Sequence, residues 1–259
     1  MPLSHRISRP AASHNSRLTA TAQLDTARAW LRTAQSVAVL TGAGISAESG
    51  VPTFRDPGGL WQNYRPEDLA TPEAFQRDPL LVWKWYDWRR SLIADCRPNL
   101  GHYALRDIEQ RVAVFTLITQ NVDGLHERAG SQRVLKIHGD IWWVTCLQCE
   151  QTTTDLRTPL PELPPRCPCG GMLRPGVVWF SESLPKWAWQ QAEEAVKTCE
   201  VLIVAGASAV VYPAASLAPL ALASGARVIE INTEETPLSG AATCFLRGPS
   251  GELLPLLID

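Results

Sequence analysis

The chain has 259 residues, 45% of them hydrophobic and 19% charged, with a formal net charge of −2. That length and apolar content suffice for a full core, fitting one large domain with a small insertion or two modest domains. The near-neutral charge argues against general nucleic-acid binding, and no apolar run approaches the roughly 20 uncharged residues a membrane-spanning helix needs.

Residues 1–24 are rich in arginine and serine and hold no acidic residue, the composition of a transit peptide. They show no apolar face of helical period, so a flexible tail is the expected reading, with a cytoplasmic location, or the mitochondrial matrix should the tail act in targeting. From Asp25 to Thr33, Leu24, Ala27, Trp30 and Leu31 recur at helical spacing and predict a helix. SVAVL, Ser36 to Leu40, reads as a buried parallel strand. TGAGISAESGVPTFRD, Thr41 to Asp56, then forms a glycine-rich turn opening into a helix near Ile45. Gly42 and Gly44 lack the Cβ atoms that would hold a backbone away from a pyrophosphate, the helix start offers free N–H groups to that anion, and Ala47 takes the small-residue slot of a GxGxxG/A fingerprint. A tight strand-to-helix turn without a ligand has the same look. A hydride-transfer domain would continue into a strand ending in an acid about 20 residues on; here VPTFRDPGGLWQNYRPEDLATPEAF follows, which disfavours that class. The stretch Phe54 to Phe75 suits an ordered but adjustable loop over a ligand, although Arg55 and Asp56 read equally well as a surface pair.

Asp78 and Pro79 are a helix cap and first turn, and the helix they open carries Leu81, Trp85, Trp88 and Leu92 on one stripe, expected to be core. Tyr86 and Arg89, three apart, share a neighbouring face. A guanidinium fork beside a phenol is what a buried carboxylate needs, while an arginine paired with a nearby acid and a half-buried tyrosine is the plainer account. Val112 to Ile118 is the next buried strand, and TQNVDGLHERAG (Thr119 to Gly130) follows at its carboxyl end, where open α/β sheets bind ligands. There Gln120, Asn121 and Asp123 supply two amides and a carboxylate, Asp123 serving a helix start as well. VLKIHGD delivers His138 before a glycine turn; a lone histidine is often structural, and His126 competes for any catalytic role.

Of seven cysteines, Cys96, Cys199 and Cys244 are scattered, whereas Cys146, Cys149, Cys167 and Cys169 form CxxC and CxC pairs. Two thiolate pairs so spaced suit a closed tetrahedral zinc site in a reducing compartment. Between them only Arg157 and Arg166 are basic, too few for a nucleic-acid-reading zinc ribbon. CEVLIVAGAS, Cys199 to Ser208, is another apolar strand ending in small residues; Pro213 to Ser224 reads as helical; RVIEINTEE is a strand with Asn232 and Glu234 at the carboxyl end, where an acid commonly binds ribose hydroxyls.

TGAGISAESGVPTFRD, TQNVDGLHERAG, KIHGD, the cysteine cluster, RPGVVWF, GAS and INTE occur in the order seen in sirtuins, the NAD-dependent protein deacylases, and the chain resembles that family from about Asp25 onward. The resemblance implies a dinucleotide site on Gly42, Ala43, Gly44, Ile45 and Ala47, with Phe54, Arg55, Asp56 and Trp61 closing over nicotinamide and ribose. It implies that Gln120, Asn121 and Asp123 orient the nicotinamide ribose and carboxamide, Asn121 and Asp123 counting also as catalytic, and that His138 is the general base. Gly206, Ala207 and Ser208, then Asn232, Thr233 and Glu234, fall at phosphate and ribose, and Ser250 near adenine. Val177, Val178, Trp179 and Phe180 correspond to the segment that pairs with the extended substrate backbone. YDWR matches the YxxR motif of the sirtuin class that removes succinyl, malonyl or glutaryl groups, whose tyrosine and arginine bind the acyl carboxylate. Pro66 falls where typical deacetylases place bulky apolar residues. Two departures stand out: CPC in place of a second CxxC, and Ser181 where the family commonly has glycine.

The implied fold is α/β, a Rossmann-like open, mostly parallel sheet with helices on both faces, carrying a helical module near 57–98 and a small zinc-binding module near 141–175. The implied chemistry uses NAD and one structural zinc: the acyl oxygen attacks ribose C1′ as nicotinamide leaves, and His138 takes a ribose hydroxyl proton so that the hydroxyl attacks the amide carbon. Products are free lysine, nicotinamide and 2′-O-acyl-ADP-ribose. The expected partners are acyl-lysine proteins, with no nucleic acid and no membrane; the oligomeric state is left open, a monomer being the default. The rival readings are a plain lysine deacetylase, an ADP-ribosyltransferase or NAD glycohydrolase, and a non-catalytic sensor of NAD or ADP-ribose.

Overall fold

The computed structural model describes residues 20–53 and 66–258. Helix α1 (Ala20–Thr33) leads into strand β1 (Ser36–Thr41) and the single-turn helix α2 (Ala43–Ala47). Four helices follow, α3 (Pro66–Leu69), α4 (Pro72–Arg77), α5 (Pro79–Asp95) and α6 (Leu100–Arg111), then β2 (Val114–Thr119), α7 (Leu125–Ala129) and β3 (Val134–Lys136). Strands β4 (Gly139–Cys146), β5 (Thr152–Thr154) and β6 (Leu173–Val177) come next. The chain closes with α8 (Lys186–Thr198), β7 (Val201–Ala205), α9 (Leu217–Ala223), β8 (Arg227–Asn232), β9 (Cys244–Arg247) and α10 (Ser250–Leu256). No helix among the described residues is long and apolar enough to cross a membrane.

The six-stranded sheet runs β3-β2-β1-β7-β8-β9 with every neighbour parallel. Its central strands are near-continuous apolar runs because both faces are covered. Alternation within β1 shows this: Val37 and Val39 pack with Leu105, Phe115 and Leu254 on the α1/α6/α10 side, whereas Ala38 and Leu40 pack with Ala192, Val196 and Leu217 on the α8/α9 side. From β1 the chain winds outward in two directions, first to β2 and β3, later to β7, β8 and β9. The carboxyl ends of β1 and β7 therefore flank the switch point where such sheets hold ligands.

A second sheet, β5-β4-β6, is antiparallel and packs against α5. Ile141, Val144, Leu173 and Val177 meet Val82, Trp83, Tyr86 and Ile93 in one apolar cluster. Asp78 caps α5 as expected, its Oδ1 accepting from the Leu81 amide at 2.9 Å with Pro79 in the first turn. The expected core stripe holds only at Trp85, which is buried; Trp88 is 47% exposed, and Leu81 and Leu92 are only partly buried. The buried stripe runs Val82, Tyr86, Arg89, Ile93, with Trp83, Asp87 and Arg90 beside it. Arg90, fully buried, donates to the carbonyls of Ile141 (3.2 Å) and Arg157 (2.9 Å) and to that of Asp155, tying the helix to the chain after β5. Three boundaries also move. β2 begins at Val114 because Val112 ends α6, β8 ends at Asn232, and the stretch expected to be helical after Pro213 divides into a 3-10 turn, Ala214–Ser216, and α9.

Candidate functional site

A cavity of about 890 Å³ opens between the carboxyl ends of the parallel strands and the α5/β6 wall. Gly42, Ala43, Gly44 and Ala47 after β1, and Gly206 and Ser208 after β7, form one side. Gln120, Asn121 and Asp123 after β2 and His138 before β4 form its floor, and Asn232, Thr233, Glu234 and Ser250 its far end. Tyr86, Arg89, Val177, Val178, Trp179 and Phe180 line the opposite end. Ile45, fully buried, and Ala207 stand behind the wall rather than on it. Phe54, Arg55, Asp56, Trp61 and the side chain of Pro66 lie outside the described residues.

The glycines answer a demand that spacing does not reveal. A Cβ on Gly44 would stand 2.7 Å from the Gly206 Cα, one on Gly42 2.8 Å from the Ala207 Cα, and one on Gly206 (φ +60°) 2.3 Å from the Ile45 amide nitrogen. The ends of β1 and β7 are pressed together, and their side-chain-free contact lets both turns face the cavity at once.

Beneath the turn lies a polar lattice. Ser46, buried on α2, donates to Asp123 Oδ2 at 2.8 Å, and Asn121 Nδ2 donates to the Gly42 carbonyl (3.0 Å) and to Ser46 Oγ (3.2 Å). Asp123 Oδ1 accepts from the Leu125 amide at 2.8 Å, so this carboxylate both shapes the turn into α7 and faces the cavity. Burial raises the Asp123 pKa, while the Leu125 and Ser46 donors oppose that rise. Sequence reasoning missed Ser46; its place between Gly44 and Ala47, inside the fingerprint, was the available signal.

Of the two histidines, His138 lies on the cavity wall and His126 behind it. His138 Nδ1 stands 3.1 Å from the Gln120 carbonyl, which can only accept; the proton therefore sits on Nδ1, and Nε2 carries the basic lone pair. Burial lowers its pKa below 6.5, opposed by that hydrogen bond. His126 is fully enclosed, with Nε2 at 3.0 Å from Thr41 Oγ1 and its ring 4.9 Å from that of His102. Lys136 pairs with Glu127 (2.6 Å) and with Asp140, bracing the strand on either side of His138.

At the far wall, the Trp179 indole N–H donates to the Tyr86 hydroxyl at 3.0 Å, and the Arg89 guanidinium carbon lies 4.8 Å from the Trp85 ring centre. Burial pushes the Tyr86 phenol up to about 12 and lowers the Arg89 pKa. Arg174 stacks 3.8 Å from the Trp179 ring centre and grips Glu182 through both Nη atoms, at 2.6 and 2.9 Å. The amides of Val178, Trp179 and Phe180 donate within the chain, to the His138 carbonyl, Glu182 Oε2 and the Ala70 carbonyl. Ser181 holds φ +70°, the left-handed region that favours glycine.

The four sulfurs of Cys146, Cys149, Cys167 and Cys169 lie within 4.8 Å of one another. Two edges measure 3.5 Å (Cys146 to Cys169) and 3.7 Å (Cys149 to Cys167), close to the roughly 3.8 Å that four Zn–S bonds of about 2.3 Å impose on a tetrahedron. The short CPC spacing therefore still closes the set. Gly171 makes room for it: a Cβ there would sit 2.7 Å from Cys146 Sγ. Backbone N–H groups of Cys149 and Gln148 lower the pKa of the Cys146 thiol, whereas contacts among the sulfurs raise those of Cys149 and Cys167 when no metal shares their charge. This donor set fits one zinc ion with no open coordination position.

The sequence profile of the Sir2 family matches residues 42–213. An NAD-dependent protein deacylase 2 of Pyrobaculum aerophilum is 53% identical over 230 residues, 88% of this chain and 92% of that protein. An NAD-dependent protein deacylase of Aquifex aeolicus is 57% identical over 225 residues, 86% of this chain and 94% of that one. The structure of a Sir2 homologue in complex with NAD superposes with a TM-score of 0.85 at 46% identity, over 90% of this chain and 92% of that one. That of Sir2Af2 bound to a myristoylated histone peptide gives 0.75 at 34% identity, over 92% and 95%.

Proposed function

The chain belongs to the Sir2 family and is an NAD-dependent protein deacylase, and on that premise we propose that the acyl groups it removes from protein lysine include acidic ones, succinyl and malonyl. The observation that carries the acidic preference is the placement of Tyr86 and Arg89 together on the cavity wall, both on the buried stripe of α5. A guanidinium and a phenol there meet an acyl carboxylate with charge-assisted donors in a site shielded from water. Acyl-lysine peptides as substrates accord with the relatives solved with a myristoylated histone peptide and with a deacetylated p53 peptide.

NAD, when bound, supplies the ribose that receives the acyl group and the nicotinamide that leaves, so that 2′-O-acyl-ADP-ribose is the second product. Gly42, Ala43, Gly44 and Ala47, with Gly206 and Ser208, hold its diphosphate, backed by Ile45 and Ala207; Asn232, Thr233 and Glu234 hold a ribose, and Ser250 the adenine end. The family resemblance assigns Phe54, Arg55, Asp56 and Trp61, outside the described residues, to the nicotinamide side. Gln120, Asn121 and Asp123 orient the reacting ribose and carboxamide. His138, neutral and with Nε2 free, takes the proton from a ribose hydroxyl. Zinc, closed off by four thiolates, holds together the chain that carries β4 and β6.

The test is NAD-dependent turnover of matched acetyl- and succinyl-lysine peptides by wild type and Arg89→Met, with products identified by mass. Succinyl should be preferred, and the succinyl-to-acetyl ratio of kcat/KM should fall roughly 10- to 100-fold in Arg89→Met, the loss of one charged hydrogen-bonding partner. A higher rate on acetyl with a ratio untouched by the substitution would make this a plain deacetylase. Release of nicotinamide without deacylated peptide would make it an NAD glycohydrolase.

A further inference from the structure

Trp179 is 4% exposed. Its ring contacts the Arg174 guanidinium, 3.8 Å from the ring centre, and Phe75, whose centroid is 5.2 Å away. Its own amide donates to Glu182 Oε2 at 2.8 Å, and Glu182 is in turn gripped by Arg174 through two hydrogen bonds. The one polar atom of the indole, Nε1, is directed at Tyr86 Oη, 3.0 Å away.

An indole N–H can only donate, whereas a phenol donates once and accepts as well. The bond therefore fixes the direction of the pair: Tyr86 accepts from Trp179, and the phenol's single proton remains to be donated. Burial pushes the phenol up to about 12, so the proton is retained at neutral pH. With Tyr86 and Arg89 both on the cavity wall, an acyl group ending in a carboxylate offers that proton an acceptor, and one ending in a methyl does not.

We propose that Trp179 is a specificity-determining positioning residue, one that holds Tyr86 as a donor toward the acyl carboxylate through the chain Glu182, Arg174, Trp179, Tyr86. This inference rests on the acidic-acyl reading and adds to it a residue outside α5. It predicts that the indole N–H governs selectivity rather than the acyl-transfer step.

The experiment compares the succinyl-to-acetyl ratio of kcat/KM in wild type, Tyr86→Phe, Trp179→Phe and the double variant. A fifth protein carries benzothienylalanine at 179 alone, which puts sulfur in place of the N–H and keeps the bicyclic ring, so the outcome does not hang on how well phenylalanine fills the site. One neutral hydrogen bond corresponds to roughly a three- to tenfold fall in the ratio in both N–H-deleted proteins. The fall should appear in the KM of the succinyl peptide, with no further fall when Trp179→Phe is added to Tyr86→Phe. If Tyr86→Phe lowers the ratio while both N–H-deleted proteins leave it unchanged, Trp179 only packs, and the inference is overturned with the acidic-acyl reading intact. If wild type shows no preference for succinyl, that reading fails and the role of Trp179 falls with it.

Discussion

His138 owes its standing as a base to two neighbours rather than to its own chemistry: the Gln120 carbonyl fixes the proton on Nδ1, and burial disfavours the imidazolium. A pKa held below 6.5 leaves the neutral form dominant across the physiological range. The acid limb of kcat/KM should therefore have its midpoint below pH 6.5, turnover declining as protonation removes the Nε2 lone pair. A midpoint at or above 6.5 would contradict this assignment. His138→Ala should lower kcat by about 10²- to 10⁴-fold with the far-UV circular dichroism unchanged; retained deacylation in that variant would return the role to another group. At this scale much of the site could be read before the fold was seen, since Gln120, Asn121, Asp123 and His138 all reach the cavity. Ser46 could not be ranked, because a serine in a short helix looks the same whether it meets solvent or a buried carboxylate.

Helix α5 shows what periodicity can decide and where it stops. The cap at Asp78 is local chemistry and was legible; the buried face was not. The segment PLLVWKWYDWRR places apolar residues around most of its circumference, so no single stripe stands out, and the choice is made by contacts with β4 and β6, which begin 44 residues or more beyond the helix. Arg90 was opaque for the same reason, its partners being carbonyls of Ile141, Asp155 and Arg157. The cysteine quartet was legible because metal chemistry constrains ligand type and spacing directly. The need for Gly171 beside Cys146 was not. Since β6 runs from that quartet into Val177 and the substrate wall, zinc should matter beyond its own sheet. Atomic emission should find one zinc per chain. Stripping it with a strong chelator should lower the thermal midpoint and abolish turnover together, as structural zinc contributes several kcal/mol to the chains it closes. Full activity in zinc-free protein would mean that the sheet keeps its place by packing alone.

Across the whole molecule, a parallel sheet with helices on both faces followed from apolar strands alternating with helices, but the order β3-β2-β1-β7-β8-β9 did not, because parallel pairing leaves no short-range turn signal. That order presses β1 against β7, and a buried polar layer joining α2, α6 and α7 reaches the carboxyl ends of β1 and β2. His102 accepts from the Asn99 amide at Nδ1 (3.3 Å), stands 3.4 Å from Ser46 Oγ through Nε2, and makes a tilted ring contact with His126, which reaches Thr41. Both rings are enclosed; burial lowers His102 to about 4 and His126 well below its usual 6.5. The unfolded chain takes up these protons near pH 6.5 and the folded chain does not, so stability is complete above that pH and is lost as pH falls from 6.5 toward 4. Asp123, raised by burial, works in the opposite sense, binding its proton more readily when folded. His102 alone should remove on the order of 2 kcal/mol between pH 7 and pH 5, and His126 adds to the loss in the same direction. Urea unfolding at the two pH values should show that loss, and it should shrink in His126→Asn, which gives up one of the two suppressed protonations. A wild-type stability that is flat over this interval would mean that the layer admits a proton without disturbing the packing at the carboxyl ends of β1 and β2.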